Sequence, residues 1–205
     1  VLGAEVGGES KSGFLLEEVI VTAQKREQRL IDVPISISAI SGETLTNRGI
    51  QNIVNLSYSI PNLSIAELAP GLQQVMIRGA ANFSGNASTV GIYLDDISVT
   101  AGTFSTPDLH IVDLKRVEVL KGPQGTLYGQ GSLGGTVRYI TNDPSFEGIE
   151  GHVELSGSNT HKGGGSEEIN GFINIPVIDE VLGFRISGTY SDESGWIDQP
   201  LANEK

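Results

Sequence analysis

One short run of glycines has the spacing of a nucleotide-binding loop. Gly129, Gly131 and Gly134 match the G-x-G-x-x-G fingerprint, in which glycines let the backbone approach a dinucleotide pyrophosphate. That chemistry requires a strand immediately before the fingerprint and a helix immediately after it, so that the helix N-terminus meets the phosphates. Here a strand-like segment, 135–141, follows instead. The order of elements therefore argues against nucleotide binding.

The other groups that could do chemistry form no catalytic pattern. The three histidines, His110, His152 and His161, are scattered and lack a metal-ligand spacing with acids. Asp95 and Asp96 could form a carboxylate pair, but neighbouring residues on a strand point to opposite faces, so a turn is the better interpretation. Because cysteine and a Ser-His-acid pattern are also absent, the sequence predicts no enzyme, no cofactor and no metal site.

The most patterned stretch, 113–141, predicts a strand, a glycine-rich crossing and a second strand. The first strand alternates, with Val117 and Val119 on one face and Arg116 and Glu118 on the other. So many glycines between two strands indicate tight turns or a close approach of two backbones. We expect six glycines to be structural: Gly79, Gly122, Gly125, Gly129, Gly134 and Gly135.

Residues 116–137 resemble the signature that ends the plug domain of TonB-dependent outer-membrane receptors. The signature has the form R-V/I-E-V-L-K/R-G-P-x-G-x-L-Y-G followed by G-G-x-I/V, and this chain has RVEVLKGPQGTLYG and GGTV. The I-R-G at 77–79 matches another family motif, and residues 32–37 and 56–63 resemble the start of family plugs. Where the family commonly has Y-x-D-G, this chain has Y-L-D-D at 93–96, and aspartate also tolerates a left-handed turn.

The resemblance implies a coupling box near the mature N-terminus, which the periplasmic energy-transducing protein TonB captures as an added strand. The segment is β-branched, and we expect it to be extended and poorly anchored, as strand addition requires. The residues of the coupling box would be Glu18, Val19, Ile20, Val21, Thr22 and Ala23.

The resemblance also implies a latch between plug and barrel. Family plugs place buried arginines against carboxylates of the barrel, because charges that lose water must find partners. By resemblance, Arg78 and Arg116 would form this latch, and Glu118 would support the network.

Short elements are predicted between these motifs. Ser41 is placed to cap a helix that runs through Thr46 and is closed by Gly49, and a second short helix should end near Tyr58. Further strands are predicted at 33–40, 63–66, 74–78 and 90–94.

The C-terminal part changes character. Segments 151–157, 170–177 and 182–190 alternate between apolar and polar residues, with Phe172 as an exception on the polar face. They suit the roughly 9 to 11 residues of a tilted membrane strand, although a soluble sandwich would give the same alternation. Three strands cannot close a barrel, so we expect the polypeptide to continue past Lys205.

Composition narrows the class of protein. The 205 residues carry a net charge of −12, which argues against nucleic acid as a partner. The chain has 27 glycines and no cysteine, which excludes disulfides and thiolate metal sites, and no apolar run approaches the roughly 18 residues of a membrane helix.

Taken together, the sequence predicts an α+β plug domain, with a small mixed sheet, short helices and long loops, followed by the first antiparallel strands of a transmembrane β-barrel. We expect a flexible N-terminal tail at 1–16, a plug at 17–146 that includes the coupling box at 18–23, and an incomplete barrel start at 147–205.

The resemblance implies energised uptake of a scarce ligand, by default a ferric siderophore or another iron complex, although cobalamin and oligosaccharides are equally compatible. The plug would lie in a barrel lumen in the Gram-negative outer membrane, with its N-terminus in the periplasm. Partners would be TonB, outer-membrane lipid, the remaining barrel and the ligand. Loops 80–89 and 98–107 would contact the ligand through Asn82, Phe83, Thr103 and Phe104. The alternative is a binding module that does not transport, such as a soluble, β-rich, plug-like protein.

Overall fold

The computed structural model describes residues 19–69, 72–81, 87–100, 109, 112–160, 164–192 and 194. Its strands are β1 Ile20–Val21, β2 Gln28–Arg29, β3 Ile37–Ser41, β4 Leu63–Ala69, β5 Leu72–Ile77, β6 Val90–Leu94, β7 Ile97–Ser98, β8 Leu114–Lys121, β9 Gly135–Thr141, β10 Glu150–Asn159, β11 Gly165–Ile178 and β12 Leu182–Asp192. Its helices are α1 Gly42–Asn47, α2 Ile53–Ser59 and α3 Gly125–Tyr128, with a single 3-10 turn at Leu30–Asp32.

A mixed five-stranded sheet is the centre of the N-terminal domain, the part that precedes β10. Its strand order is β3-β8-β9-β6-β7, in which β6 and β9 run parallel and the other pairs antiparallel. One face carries the main core, where Val117, Val119 and Val137 pack with Ile53 and Leu56 of α2. Residues 116–120 of β8 are all buried, so the opposite face is covered as well. The predicted small mixed sheet with short helices is confirmed.

Side-chain caps start both longer helices. Ser41 Oγ accepts a hydrogen bond from Thr44 N at 3.3 Å, which confirms the predicted cap of α1. Asn52 Oδ1 accepts one from Asn55 N at 2.8 Å, and α2 begins there. The strand predicted at 33–40 begins only at Ile37, since Pro34 has no backbone N–H to give to a ladder.

The glycine-rich crossing between β8 and β9 contains α3, a short helix that alternation and turn signals did not predict. β9 begins directly after Gly134, so the fingerprint lacks the following helix that a dinucleotide site needs. A Cβ on Gly134 would lie 2.8 Å from Ala80 Cβ. At Gly125 a Cβ would meet nothing within 4 Å, so the expected structural need for glycine is not found there. A positive φ is found at Gly79, Gly122, Gly129 and Gly135.

The C-terminal strands form an antiparallel sheet in the order β10-β11-β12. The strands are longer than predicted. Their apolar residues lie exposed to solvent on one face, where Leu155 is 73% exposed and Ile186 is 64% exposed. The opposite face, with His152 and Phe172, lies beside α1. The predicted alternating strands are confirmed.

No helix within the described residues is long and apolar enough to cross a membrane.

Candidate functional site

The segment predicted to be the coupling box packs against the sheet, and we keep the name coupling box for its described residues, Val19–Ala23. β1 pairs with β2 in a short hairpin, and Leu30 N donates to Val19 O at 2.9 Å. Val21 and Ala23 are buried, at 0% and 1% exposure. The expectation of a poorly anchored segment is therefore wrong, because this stretch has both apolar burial and backbone partners. Glu18 lies outside the described residues.

Beneath the box, Arg116, Glu118 and Arg138 form what we call the buried ion-pair cluster. Glu118 is fully buried, and its Oε1 accepts from Arg116 Nε at 2.7 Å while its Oε2 accepts from Arg138 Nη1 at 2.7 Å. Glu118 and Arg138 are direct cross-strand neighbours on β8 and β9. Two guanidinium groups thus share one carboxylate away from water, an arrangement that requires every polar partner to be kept.

Thr22 of the coupling box supplies several of those remaining partners. Its backbone N–H donates to Glu118 Oε1 at 2.8 Å. Its hydroxyl oxygen accepts from Arg116 Nη2 at 2.9 Å and from Arg138 Nη1 at 3.1 Å. Removing the box from the sheet would therefore leave buried charges with fewer hydrogen bonds, and this ties box docking to the cluster.

A pair of tyrosines closes one side of the box. Tyr128 OH donates to Ala23 O at 2.6 Å, and Tyr93 OH donates to Tyr128 O at 2.5 Å. The two rings meet edge to face, with centroids 5.2 Å apart. Burial raises the pKa of Tyr128 to about 12, so its hydroxyl stays protonated and able to donate at neutral pH.

Replacing Tyr128 with phenylalanine should loosen the box without disturbing the sheet. The substitution keeps the ring but leaves Ala23 O buried without its donor, which costs about 1–3 kcal/mol. Trypsin cleavage after Lys25 and Arg26 in the full-length protein, followed by mass spectrometry, should become faster. Tyr58→Phe is the matched control, because Tyr58 is exposed. Equal cleavage rates in the two variants would contradict a role for Tyr128 in docking.

The predicted latch residues do not come together. Arg116 and Glu118 lie in the buried cluster, where Arg116 is already paired within the domain. Arg78 is exposed instead and lies beside Lys121, whose Nζ donates to Ser38 Oγ at 2.8 Å. Burial, and then the nearby Arg78, lowers the pKa of Lys121. Arg78 and Lys121 are therefore neighbouring cations on a different part of the domain surface.

An ion pair joins the N-terminal domain to the C-terminal sheet, and its charges are the reverse of those in the predicted latch: the carboxylate lies in the N-terminal domain and the arginine in the sheet. Arg185 of β12 donates to both carboxylate oxygens of Asp113, at 2.6 and 2.7 Å. The guanidinium carbon also lies 4.0 Å from the ring centroid of Phe172, which explains the aromatic residue on the polar face. A cavity of about 330 Å³ opens beside this contact, between α1 and the sheet.

Sequence reasoning missed Arg138, Tyr128, Lys121 and Arg185. Arg138 is not singled out by any motif, because only the strand register sets it opposite Glu118. The four residues predicted to contact ligand, Asn82, Phe83, Thr103 and Phe104, lie outside the described residues.

A family model described as the TonB-dependent receptor plug domain matches residues 29–136, more than half of the chain. The chain belongs to this family. The match includes β8, the glycine-rich crossing and the start of β9, so the buried ion-pair cluster lies within or directly next to the plug motif. The resemblance predicted from the signature at 116–137 is confirmed.

Known receptors share this plug. The chain is 30% identical over 148 residues to the ferripyoverdine receptor of Pseudomonas aeruginosa, covering 70% of this chain and 17% of that protein. It is 28% identical over 174 residues to the vitamin B12 transporter of Vibrio vulnificus, covering 82% and 28%. The crystal structure of the P. aeruginosa outer-membrane ferripyoverdine receptor bound to ferripyoverdine matches with a TM-score of 0.67 at 25% identity, covering 84% of this chain and 22% of that one.

The chain thus spans less than a third of the length of these relatives. By name they are receptors and a transporter rather than enzymes, and they differ in what they bind. In the plug described here, the features that bear on such a function are the docked segment predicted to be the coupling box, the buried ion-pair cluster and the contact between the plug and the C-terminal sheet.

Proposed function

We propose that this chain is the N-terminal part of a TonB-dependent receptor that takes up a scarce ligand across the outer membrane of a Gram-negative bacterium. The observation that carries the proposal is the coupling box, seated on the buried ion-pair cluster of a plug. For the cargo we favour a ferric siderophore or another iron complex. In support, relatives include a ferripyoverdine receptor, a hemin receptor and a ferrioxamine B receptor.

The docked box has few backbone groups to offer a partner. β2 pairs along Ile20 and Val21, and Glu118 takes the N–H of Thr22. A strand can be added by TonB only where backbone donors and acceptors are available. We infer that ligand binding on the outside shifts the box toward an undocked state, and that TonB then adds its strand and pulls, using the inner-membrane proton gradient.

The C-terminal sheet fits the wall of a barrel that surrounds the plug. Its exposed apolar face, which includes Leu155 and Ile186, is suited to outer-membrane lipid, whereas the polar face meets the plug through Arg185 and Asp113. The plug would thus lie in the lumen with its N-terminus in the periplasm, and the remaining barrel would complete the enclosure.

The experiment that tests this function compares uptake of radiolabelled iron complexes by cells with and without the gene for the full-length receptor. We expect uptake that stops when the proton gradient is dissipated, while binding at the cell surface continues. Binding without any energy-dependent uptake would favour the alternative, a binding module that does not transport.

The plug–barrel latch remains a proposal, and Arg78 is its strongest candidate. Arg78 and Lys121 are neighbouring cations, and a barrel carboxylate would relieve their repulsion. Arg116 is less suited to that contact, because it is buried and its Nε and Nη2 already donate to Glu118 and Thr22.

Arg78→Ala should therefore make the plug of the full-length receptor more sensitive to protease. Loss of hydrogen bonds to a charged group costs about 1.5–3 kcal/mol, which corresponds to roughly tenfold or more in the protease-sensitive population. Arg48→Ala is the control, since Arg48 is also an exposed arginine. Unchanged resistance in Arg78→Ala would count against the latch.

A further inference from the structure

The two aspartates at the turn between β6 and β7, Asp95 and Asp96, make different contacts. Asp95 has a φ of +51°, and its backbone N–H donates to Tyr139 O at 2.7 Å. Its carboxylate accepts from Thr141 N at 2.9 Å and from Thr141 Oγ1 at 3.0 Å. Asp95 therefore fixes the turn to the end of β9, so the next residue is presented from a rigid position.

Asp96 reaches from this turn to the coupling box. Its side chain is 73% exposed, and its Oδ1 accepts from Lys25 Nζ and from Arg138 Nη2, the latter at 3.5 Å. Lys25 lies in the turn that follows the box, where its backbone N–H donates to Thr22 O at 2.9 Å. One carboxylate thus contacts both the turn that ends the box and an arginine of the buried ion-pair cluster.

We propose that Asp96 is a clamp that holds the coupling box in its docked position through Lys25 and Arg138. The proposal rests on the proposed function and assigns a residue to its regulation. Plugs that follow the Y-x-D-G pattern have glycine at this position and lack the carboxylate, so the clamp is a feature of this chain rather than of the motif.

The position of the clamp links it to the loops proposed to contact ligand. β6 runs directly from the loop at 80–89 to the turn with Asp96, and β7 leads from that turn into the loop at 98–107. β6 is held by parallel pairing with β9, from Val90 opposite Gly135 to Leu94 opposite Tyr139.

The electrostatic state of Asp96 suits this role. The hydrogen bond from Lys25 holds the pKa of Asp96 below its usual value, with smaller contributions from the charges of Lys25 and Arg138, against an opposing effect of burial. The carboxylate is ionised at neutral pH. Because the ion pair is exposed, its contribution is modest, and the clamp adjusts the docked population rather than holding the box alone.

The test measures how often the box leaves the sheet. This chain has no cysteine, so Val21→Cys places a single thiol at a fully buried position of the box. In the full-length receptor, with cysteines elsewhere replaced by serine, the rate of maleimide labelling without ligand and without TonB reports undocking. We expect slow labelling in the parent and labelling about two- to fivefold faster when Asp96→Asn or Asp96→Gly is added.

Two further variants test the route through Lys25. Lys25→Met should also accelerate labelling, and the double variant with Asp96→Asn should exceed Asp96→Asn alone by little, because both remove the same contact. Asp179→Asn, at an exposed turn of the C-terminal sheet, should leave the rate unchanged.

Unchanged labelling in both Asp96 variants would overturn the clamp, as would effects of Asp96→Asn and Lys25→Met that multiply. Fast labelling of the parent would overturn it too, since the box would then not be docked. The assay needs neither cargo nor energy. The clamp can therefore fail while energy-dependent uptake still supports the transport function, and transport can fail while the labelling rates still support the clamp.

Discussion

A receptor that carries Val21→Pro is expected to bind its ligand at the cell surface and to transport none of it. Proline has no backbone N–H and fixes φ near −65°, so it removes a donor from the strand that, under the proposed function, TonB would add. Val21 is also fully buried and paired with Gln28, so the substitution should undock the box as well. A Val21→Pro receptor whose box is exposed but cannot be added as a strand would show that accessibility of the box alone does not suffice for uptake.

The measurement compares ligand binding at low temperature with energy-dependent uptake in cells that produce equal amounts of receptor. Val21→Thr is the matched control, because threonine is also β-branched and keeps the N–H. We expect uptake by Val21→Thr and none by Val21→Pro. Normal uptake by the proline variant would show that residues 18–23 are not the coupling box.

Glu118→Ala is expected to have the largest effect on stability. The carboxylate is the shared partner of Arg116 and Arg138 and the acceptor for Thr22 N–H, and all three contacts are between 2.7 and 2.8 Å. Breaking a buried ion pair from one side costs about 3–5 kcal/mol, because the remaining charge stays buried without compensation. The plug of the full-length receptor should become protease-sensitive at a lower temperature and at a lower urea concentration.

Three variants distinguish the charge from the packing. Glu118→Gln keeps an acceptor oxygen and should fall between the parent and alanine. Glu43→Ala removes an exposed carboxylate and should stay within about 0.5 kcal/mol of the parent. Replacing the whole cluster, Arg116→Met with Glu118→Leu and Arg138→Met, should recover part of the loss, because no buried charge remains. A Glu118→Ala plug as stable as Glu43→Ala would mean that the cluster does not hold the plug together.

Much of this fold could be predicted from local sequence. The alternation of β8 separates the core valines from Arg116 and Glu118, and side chains on a strand must alternate whatever the strand packs against. The cap at Ser41 follows from its hydroxyl and the N–H groups of the next turn, all within a few residues. α3 was missed because its four residues are too few to show a helical period.

The features of the candidate site also fall into those set by local sequence and those set by contacts between distant residues. The sequence by itself determined the plug signature and the charged face of β8, and it predicts the coupling box, since each depends on residues close together in the chain. Only the tertiary structure decided that Thr22 meets Arg138, 116 residues away, and that Arg185 meets Asp113, 72 residues away. Strand register and packing bring such groups together, and local patterns carry no information about partners that distant. For that reason the box that sequence predicts to be loose is docked, and the arginine predicted to face the barrel is paired inside the plug.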